Sequence, residues 1–297
     1  MPVFKGRDVF GGMKVKEAMR HAHLRMSADS PISAGIRNMI KMKCNAALVD
    51  DSDGNPAGVV SKTDIMGSYY AGLPVDTGLS RIMDAPVQFC HPDDLIENVL
   101  DIMQSRAIHR IYVQSGDRDR LGILAFSDII GLMYRYCRTC IKSERKPEVL
   151  GGEDLPRLRV KDVMTAKTIT CHENDTVFEV IDVLSVERTG AVLVESDLKQ
   201  SLGVISKTDL IIAYLHGADG TEPAKSIMNG PVVFCSSEEL LSEAIQQMFL
   251  YDIQRLFIKD DKNQVQGVLA LSDAARFRSG TCKACVPGRM LAGISDF

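Results

Sequence analysis

Apolar and polar positions along the chain alternate between the spacing of helices and the spacing of strands. Ser30 and Pro31 suit the N-cap and the first position of a helix, and apolar residues then recur at Ile32, Ile36 and Ile40. Two short apolar runs joined by an Asp-Gly-Asn-Pro turn follow, which predicts a β-hairpin, and a second helix comes after it. The order helix, strand, strand is predicted four times, at 32–40, 46–49 and 58–60; at 95–103, 111–113 and 122–124; at 177–184, 191–194 and 203–205; and at 240–248, 256–258 and 267–269.

This order recurs because the chain repeats its own sequence at two spacings. A shift of 145 residues aligns the Ser-Lys-Thr-Asp element at 61–64 with the same four residues at 206–209. A shift of 64 residues aligns Met19 with Met83, and the second half keeps that spacing. A unit of about 60 residues buries little surface alone, so we expect the units to pack in pairs. Repeats 1 to 4 are predicted at 14–78, 79–140, 159–223 and 224–285, with a linker at 141–158 and with modules at 1–140 and 159–297.

Composition and charge narrow the class of protein. The 297 residues are 45% apolar and 25% charged, which is typical of a folded chain. A net charge of −4 argues against a broad basic face for nucleic acid. No apolar run approaches the roughly 18 residues that cross a bilayer, and the first residues lack the regions of a signal peptide. We therefore expect a cytoplasmic protein that engages neither membrane nor nucleic acid.

The repeated elements resemble those of the CBS-domain family. The resemblance rests on the opening Val-Lys-Asp-Val-Met-Thr at 160–165 and the closing Gly-Val-Ile-Ser-Lys-Thr-Asp-Leu at 203–210, each seen four times with variation. It implies an α+β fold of four β-α-β-β-α units, paired into two Bateman modules related by a pseudo-twofold axis. It also implies a regulatory role, in which clefts between paired motifs bind AMP, ADP, ATP, S-adenosylmethionine or NAD and pass that state to a partner.

Under this resemblance the Ser-x-x-Asp element carries the ligand chemistry. Its carboxylate can accept hydrogen bonds from both ribose hydroxyls, while the Ser hydroxyl and the N–H groups at the helix start face phosphate oxygens. Repeats 1 and 3 carry the whole element, whereas Ala125 and Ala270 take the Ser place in repeats 2 and 4. An Arg before a strand in repeats 2 and 4 suits bidentate contact with phosphate, and Asn45 and Gly190 are aligned with it in repeats 1 and 3. The candidate nucleotide-binding residues are Ser61, Asp64, Ser206, Asp209, Asp128, Asp273, Arg110 and Arg255.

A purely structural interpretation of the same element stays open. Ser followed three residues later by Asp also forms a helix capping box, and an acidic residue near a helix start is favourable by some 0.3–1 kcal/mol. Likewise, an Arg before a strand can be a solvated or salt-bridged side chain.

Four of the eight cysteines form two C-x-x-C pairs that lie outside the family pattern. Cys137 and Cys140 recur 145 residues later as Cys282 and Cys285. Under a pseudo-twofold relation the four thiolates could converge on zinc or an iron–sulfur cluster. A reversible dithiol switch and cysteines without special chemistry are the alternatives. Three other cysteines each follow a repeat's Met by seven residues and are predicted as small buried hydrophobes: Cys90, Cys171 and Cys235.

Two functions from different classes follow. One is a stand-alone sensor that binds adenine nucleotide or S-adenosylmethionine and changes shape for a regulated protein partner. The other is a metal-dependent or iron–sulfur-dependent redox sensor that uses the C-x-x-C pairs. The repeats leave little chain for a catalytic domain, and neither a P-loop nor a nucleophile elbow occurs, so we do not expect an enzyme. A homodimer is an expectation from the family resemblance alone.

Overall fold

Four three-stranded sheets, one in each repeat, form the framework of the part of the chain that the structure describes. The computed structural model describes residues 12–106, 108–116, 121–126, 128–129, 159–271 and 273. In every sheet the first strand runs parallel to the second, and the second pairs antiparallel with the third. A helix joins the first strand to the second, because a parallel pair needs a long crossover whereas the antiparallel pair needs only a turn.

The elements have the following bounds. The strands are β1 Arg25–Ser27, β2 Ala46–Asp50, β3 Pro56–Ser61, β4 Phe89–Cys90, β5 Arg110–Gln114, β6 Leu121–Ala125, β7 Thr170–His172, β8 Ala191–Glu195, β9 Ser201–Ser206, β10 Phe234–Ser236, β11 Arg255–Lys259 and β12 Val265–Ala270. The helices are α1 Ile32–Lys41, α2 Lys62–Tyr70, α3 Ile96–Ser105, α4 Val177–Val186, α5 Lys207–Leu215 and α6 Leu241–Leu250. The predicted helices and strands are confirmed, with shifts of at most two residues at their ends.

The predicted start of the first helix is wrong by one residue. Pro31 is the N-cap, with extended backbone at φ −70° and ψ 154°, and the helix begins at Ile32. The first helical N–H groups need acceptors from outside the helix. They donate to the chain that follows α2, from Ile32 to the Thr77 carbonyl at 2.9 Å and from Ser33 to the Val75 carbonyl at 2.8 Å. A distant loop therefore caps this helix in place of Ser30.

The chain forms two compact units, and each unit takes repeats from both halves of the sequence. The odd unit comprises 23–87 and 168–233, which hold the sheets of repeats 1 and 3. The even unit comprises the described parts of 12–22, 88–167 and 234–273, which hold the sheets of repeats 2 and 4. The pairing of repeat 1 with repeat 2, and of repeat 3 with repeat 4, concerns the relation between these units and stays a prediction.

A sequence repeat does not coincide with a packing unit, because its opening segment packs elsewhere. We define the opening segments as residues 15–20, 79–84, 160–165 and 224–229. Val15 opens repeat 1 but lies in the core of repeat 2 with Ile96, and Leu79 opens repeat 2 but lies in the core of repeat 1 with Ile32. The other two segments follow the same rule, since Lys161 donates to the Ser237 carbonyl of repeat 4 and Ala224 lies in the core of the odd unit. Within each half, the two repeats thus exchange their opening segments.

Helices α2 and α5 hold the odd unit together. Tyr69 and Tyr214 stack with their ring centroids 4.9 Å apart, and the Tyr69 hydroxyl donates to the Ala218 carbonyl at 2.7 Å. At the other end of the helices, the bonds are reciprocal. Lys62 Nζ donates to Thr208 Oγ1 at 2.8 Å, and Lys207 Nζ donates to Thr63 Oγ1 at 3.0 Å. The N-terminal ends of the two helices therefore lie side by side.

Candidate functional site

The complete Ser-x-x-Asp elements of repeats 1 and 3 form capping boxes at the starts of α2 and α5. Ser61 donates its backbone N–H to Asp64 Oδ2 at 2.6 Å and its hydroxyl to the same oxygen at 2.8 Å. The Ser61 hydroxyl in turn accepts from the Thr63 N–H at 3.2 Å. Ser206 and Asp209 repeat these contacts at 2.7 and 2.6 Å. The structural interpretation of the element is thus confirmed, and it fixes the orientation of each carboxylate.

Repeats 2 and 4 keep the carboxylate without the hydroxyl. The Ala125 N–H donates to Asp128 Oδ2 at 2.9 Å, and the Ala270 N–H donates to Asp273 Oδ2 at 2.9 Å. The same backbone donor therefore holds the same carboxylate oxygen in all four repeats. Oδ2 is therefore engaged in the same way at all four sites.

The strand register corrects the alignment of the two arginines. Arg110 pairs with Ala125, and Arg255 pairs with Ala270. The matching pairs in the odd unit are Ala46 with Ser61 and Ala191 with Ser206. The residues equivalent to the arginines are therefore Ala46 and Ala191, and the alignment with Asn45 and Gly190 was wrong by one position. Each repeat has either Arg facing Ala or Ala facing Ser, so the two site positions change together.

Arg255 lies close enough to Asp273 for their charges to interact. Burial lowers the pKa of the Arg255 guanidinium, and the Asp273 carboxylate acts in the opposite direction. In repeat 4 the site carboxylate thus interacts with a guanidinium, whereas in repeats 1 and 3 it has a Ser hydroxyl beside it. A guanidinium presents a planar fork of donors that matches phosphate, which a hydroxyl does not.

Each opening segment brings a further residue to the site of the repeat on which it packs. This residue directly follows the Met of the opening segment. This residue forms two reciprocal backbone hydrogen bonds with the third strand of the sheet. The pairs are Asp84 with Val59, Arg20 with Ile123, Asn229 with Val204 and Thr165 with Val268, at 2.8–3.0 Å. The four residues therefore occupy equivalent register positions.

The repeated glycine of the third strand makes this approach possible. A Cβ at Gly58 would lie 2.6 Å from Met83 Sδ and 2.9 Å from the Asp84 carbonyl oxygen. A Cβ at Gly267 would lie 2.4 Å from the Thr165 carbonyl oxygen. The glycine that marks each repeat in the sequence is thus explained by the backbone of the opening segment that crosses it.

Two of these opening-segment residues contact the site carboxylate directly. Arg20 Nε lies 2.5 Å from Asp128 Oδ1, and Asn229 Nδ2 donates to Asp209 Oδ1 at 2.7 Å. Sequence reasoning missed them because each belongs by sequence to the neighbouring repeat. The 64-residue spacing was the available signal, since it aligns Arg20 with Asp84 as firmly as it aligns the aspartates.

The three cysteines predicted to be buried lie on first strands, as expected. Cys90, Cys171 and Cys235 are each less than one tenth exposed. Burial raises the pKa of all three thiols to about 12, with help from neighbouring carboxylates. They are thus held as neutral thiols and behave as small hydrophobes.

The C-x-x-C pairs lie outside the described residues, so Cys137, Cys140, Cys282 and Cys285 stay a prediction. Within the described ranges, no group of three or more His, Cys, Asp and Glu side chains could hold a metal ion. The same residues include no helix long and apolar enough to cross a membrane.

An open cavity of about 400 Å³ lies in the odd unit, away from the Ser-x-x-Asp elements. Its lining comes from residues 168–170 and from Asp182, Val183, Val186 and Glu187. None of the predicted site residues contributes to it.

Comparison with known proteins identifies the architecture. The CBS-domain family model matches residues 15–70, 79–135, 160–216 and 224–280, which together are more than half of the chain. This chain belongs to the CBS-domain family. The four matches reproduce the four repeats, and they confirm the fold of repeated CBS units that the sequence predicts.

Relatives of this CBS-domain protein come from bacteria and archaea. CBS domain-containing protein YhcV of Bacillus subtilis is 31% identical over 118 residues, which are 39% of this chain and 82% of YhcV. Protein MJ1225 of Methanocaldococcus jannaschii is 23% identical over 185 residues, which are 62% of this chain and 65% of the relative. Four of the relatives are matched over only 23% to 65% of their own lengths, one of them an inosine-5'-monophosphate dehydrogenase.

Solved structures agree on the fold over most of the chain. The crystal structure of MJ1225, described as a proposed archaeal homologue of g-AMPK, covers 88% of this chain and 98% of its own, with a TM-score of 0.69 and 13% identity. A conserved protein from Pyrococcus horikoshii covers 95% of this chain and 100% of its own, with a TM-score of 0.54 and 15% identity. At these identities the likeness shows the shared fold.

Proposed function

We propose that this CBS-domain protein is a regulatory sensor that binds adenosyl ligands at its Ser-x-x-Asp carboxylates. The observation that carries the proposal is the common orientation of Asp64, Asp128, Asp209 and Asp273. In each repeat the backbone N–H three residues before the Asp holds Oδ2 at 2.6–2.9 Å. Four carboxylates fixed in the same way at the end of a hairpin are prepared to accept the paired hydroxyls of a ribose.

The surrounding donors support the phosphate end of such a ligand. In the odd unit, each carboxylate lies in the first turn of α2 or α5, where the helix N-terminus favours anions. In the even unit, Arg110 or Arg255 occupies the neighbouring strand position and suits bidentate contact with phosphate. Both kinds of site thus combine a ribose acceptor with a group that attracts an anion, so AMP, ADP and ATP, with their phosphates, and S-adenosylmethionine, with its carboxylate, are the ligands to test.

We propose a regulatory rather than a catalytic role, in which ligand binding changes the surface that a partner protein meets. Each carboxylate is held by a backbone N–H of its own repeat and offers only acceptors, which suits the binding of ligand hydroxyl groups. The regulated protein and a homodimer belong to the same proposal.

Calorimetric titration of the full chain with AMP, ATP and S-adenosylmethionine tests the ligand sites. Asp64→Asn together with Asp209→Asn keeps an oxygen that can cap each helix, yet replaces one ribose acceptor by a donor. We expect affinity at these sites to fall at least about tenfold, since a partly buried acceptor is lost from each. Asp53→Asn with Asp261→Asn is the matched control, because both carboxylates are exposed in turns. Tight binding that persists unchanged in the first pair would overturn the site assignment.

The C-x-x-C pairs favour one second candidate, a metal-dependent or redox-dependent signal. The observation is their exact recurrence at the spacing of the two halves, 137 with 282 and 140 with 285. Metal analysis and absorbance of anaerobically purified protein test it, with Cys137→Ser plus Cys282→Ser as the variant. Zinc or iron–sulfur absorbance that disappears in the variant supports this function, and metal-free, colourless wild-type protein contradicts the metal site.

A further inference from the structure

The residue after each repeat's Met differs in charge among four otherwise equivalent sites. It is Arg20 beside repeat 2, Asp84 beside repeat 1, Asn229 beside repeat 3 and Thr165 beside repeat 4. Each forms the same two backbone hydrogen bonds with the third strand, so the main chain is fixed and only the side chain varies. A position with fixed backbone and variable charge next to a binding carboxylate can tune what that carboxylate accepts.

The side chains that reach the carboxylate show how the tuning works. Arg20 Nε lies 2.5 Å from Asp128 Oδ1, and the Asp128 side chain is only 9% exposed. The guanidinium thus neutralises the carboxylate and leaves further N–H groups, because Arg carries five donors. Asn229 reaches Asp209 Oδ1 at 2.7 Å with a neutral amide and leaves the negative charge in place.

The largest difference in site charge is between repeats 2 and 1. The repeat 2 site combines Asp128 with two arginines, Arg20 and Arg110. The repeat 1 site has two carboxylates, Asp64 and Asp84, at the corresponding positions. Lys62 adds a positive charge near the start of α2, but its Nζ donates to Thr208, and repeat 3 has Lys207 in the same role. With Lys62 counted, the net charge is −1 at the repeat 1 site and +1 at the repeat 2 site, so the contrast between them remains.

We propose that the opening-segment residue sets ligand charge preference, so that Arg20 makes the repeat 2 site select polyanionic adenosyl ligands and Asp84 makes the repeat 1 site reject them. This inference rests on the proposed function, because it assigns a ligand class to sites that must first bind an adenosyl group. A ligand with a triphosphate interacts favourably with a site of net positive charge and unfavourably with one of net negative charge. Uncharged adenosine, by contrast, is little affected by either residue.

Calorimetry with ATP and adenosine as the two probes separates charge preference from binding as such. Arg20→Gln keeps a donor toward Asp128 but removes the charge, and Arg20→Lys keeps the charge. We expect Arg20→Gln to weaken ATP binding at its strongest site about tenfold and to change adenosine binding less than threefold. Arg20→Lys should keep most of the ATP preference. Higher salt should shrink the difference between wild type and Arg20→Gln, because screening weakens exposed charge interactions.

Asp84→Asn is the second test and acts in the opposite direction. Asp84 is exposed, so this variant is expected to fold even if changes at Arg20 disturb the even unit. Removal of the carboxylate should strengthen ATP binding at the weakest site several-fold, with adenosine unchanged. If ATP and adenosine bind wild type but their affinity ratio stays the same in Arg20→Gln and Asp84→Asn, the charge preference is wrong. If neither probe binds wild type, the proposed function itself fails, and this assignment fails with it.

Discussion

The odd and even units contain the same fold twice each, yet they differ at the same two site positions. Both repeats of the odd unit have Ser at the helix start, facing Ala on the neighbouring strand. Both repeats of the even unit have Ala there, facing Arg. The two site types alternate along the sequence. Because each unit combines one repeat from each half of the chain, the two sites of one type lie in the same unit. Each unit therefore contains two sites of one chemical type.

The difference shows that the same fold can change the hydrogen-bond donors beside the site carboxylate while the carboxylate, the acceptor, stays the same. The carboxylate is held by the same backbone donor in all four repeats, whereas the hydroxyl and the guanidinium replace each other beside it. A hydroxyl is small and uncharged, while an Arg side chain is long and always positive. In the even unit, the Ala that replaces Ser therefore removes a hydroxyl donor and also leaves space for the Arg side chain that faces it.

The largest expected loss of unfolding free energy comes from a substitution in the aromatic contact between α2 and α5, which lies in the odd unit. Tyr69 is buried, stacks on Tyr214 and tilts against Phe178 at 5.9 Å between centroids. Tyr69→Ala should lower the free energy of unfolding by about 3–4 kcal/mol, because large-to-small changes lose both burial and packing. Tyr70→Ala is the matched control, since Tyr70 is 48% exposed, and it should cost about 1 kcal/mol. Urea denaturation measures both, and equal losses would show that the stacked pair does not hold the unit.

The crossing of opening segment and third strand can be broken in the even unit at Gly267, with a glycine of the odd unit that lies at no crossing as the control. Gly267→Ala should cost about 2–3 kcal/mol in the even unit, because its Cβ would meet the Thr165 carbonyl oxygen at 2.4 Å. Gly67→Ala should instead stabilise the odd unit by about 0.5–1 kcal/mol, because Gly67 lies within α2 and has no atom within 4 Å of its Cβ position. Thermal unfolding gives both values. A neutral Gly267→Ala would mean that the opening segment does not cross the strand as closely as described.

Alkaline pH should destabilise both units through their buried thiols. Cys90 and Cys235 in the even unit and Cys171 in the odd unit have pKa values raised from 9.0 to about 12. A raised folded-state pKa means that the folded chain retains a proton that the unfolded chain has lost, so stability is complete below pH 9 and declines as pH rises to about 12. Tyr69, with a pKa raised to about 12 by burial, adds to the decline in the odd unit above pH 10.

The size of this pH effect depends on the number of thiols that titrate. Each group contributes a slope of up to about 1.4 kcal/mol per pH unit in this range. Cys90→Ala with Cys235→Ala should flatten the curve of unfolding free energy against pH more than Cys171→Ala alone. An unchanged slope in the double variant would contradict the burial of these thiols.

The smallest expected effect concerns the reciprocal lysines. Lys62→Ala removes the bond to Thr208 and should cost about 0.5 kcal/mol, because exposed polar contacts contribute little net free energy. Lys62→Ala combined with Lys207→Ala should cost about twice that if the two bonds act independently. A double-mutant cycle on unfolding free energies measures the coupling. A much larger coupled loss would mean that the two N-terminal ends act as one polar cluster.

Local sequence signals predicted the helices and strands and, at each site, the Ser-x-x-Asp element but not the opening-segment residue. Periodic apolar residues and the hairpin turns predicted the helices and strands, because these depend on neighbours in the chain. The Ser-x-x-Asp element was recognisable for the same reason. The first-strand cysteines could be placed in the core from their apolar surroundings and their spacing after Met.

Long-range packing explains what the sequence did not predict. Arg20 and Asp128 are far apart in the chain and belong to different repeats, so nothing local connects them. The division into odd and even units likewise depends on contacts between halves of the chain, such as that of Tyr69 with Tyr214. Repetition conceals such exchanges, because four similar opening segments fit four similar sheets equally well on sequence grounds. Only the strand register decides which segment completes which site.

The most direct test of the central claim is the ligand stoichiometry of the full chain when all four site carboxylates are changed to amides. The variant combines Asp64→Asn, Asp128→Asn, Asp209→Asn and Asp273→Asn, and circular dichroism checks that it remains folded. If the four aspartates are the ribose acceptors, calorimetry with ATP or S-adenosylmethionine will show that affinity at every occupied site falls at least about tenfold from wild type to the folded variant. Binding to the folded variant with the stoichiometry and affinity of wild type would contradict the claim.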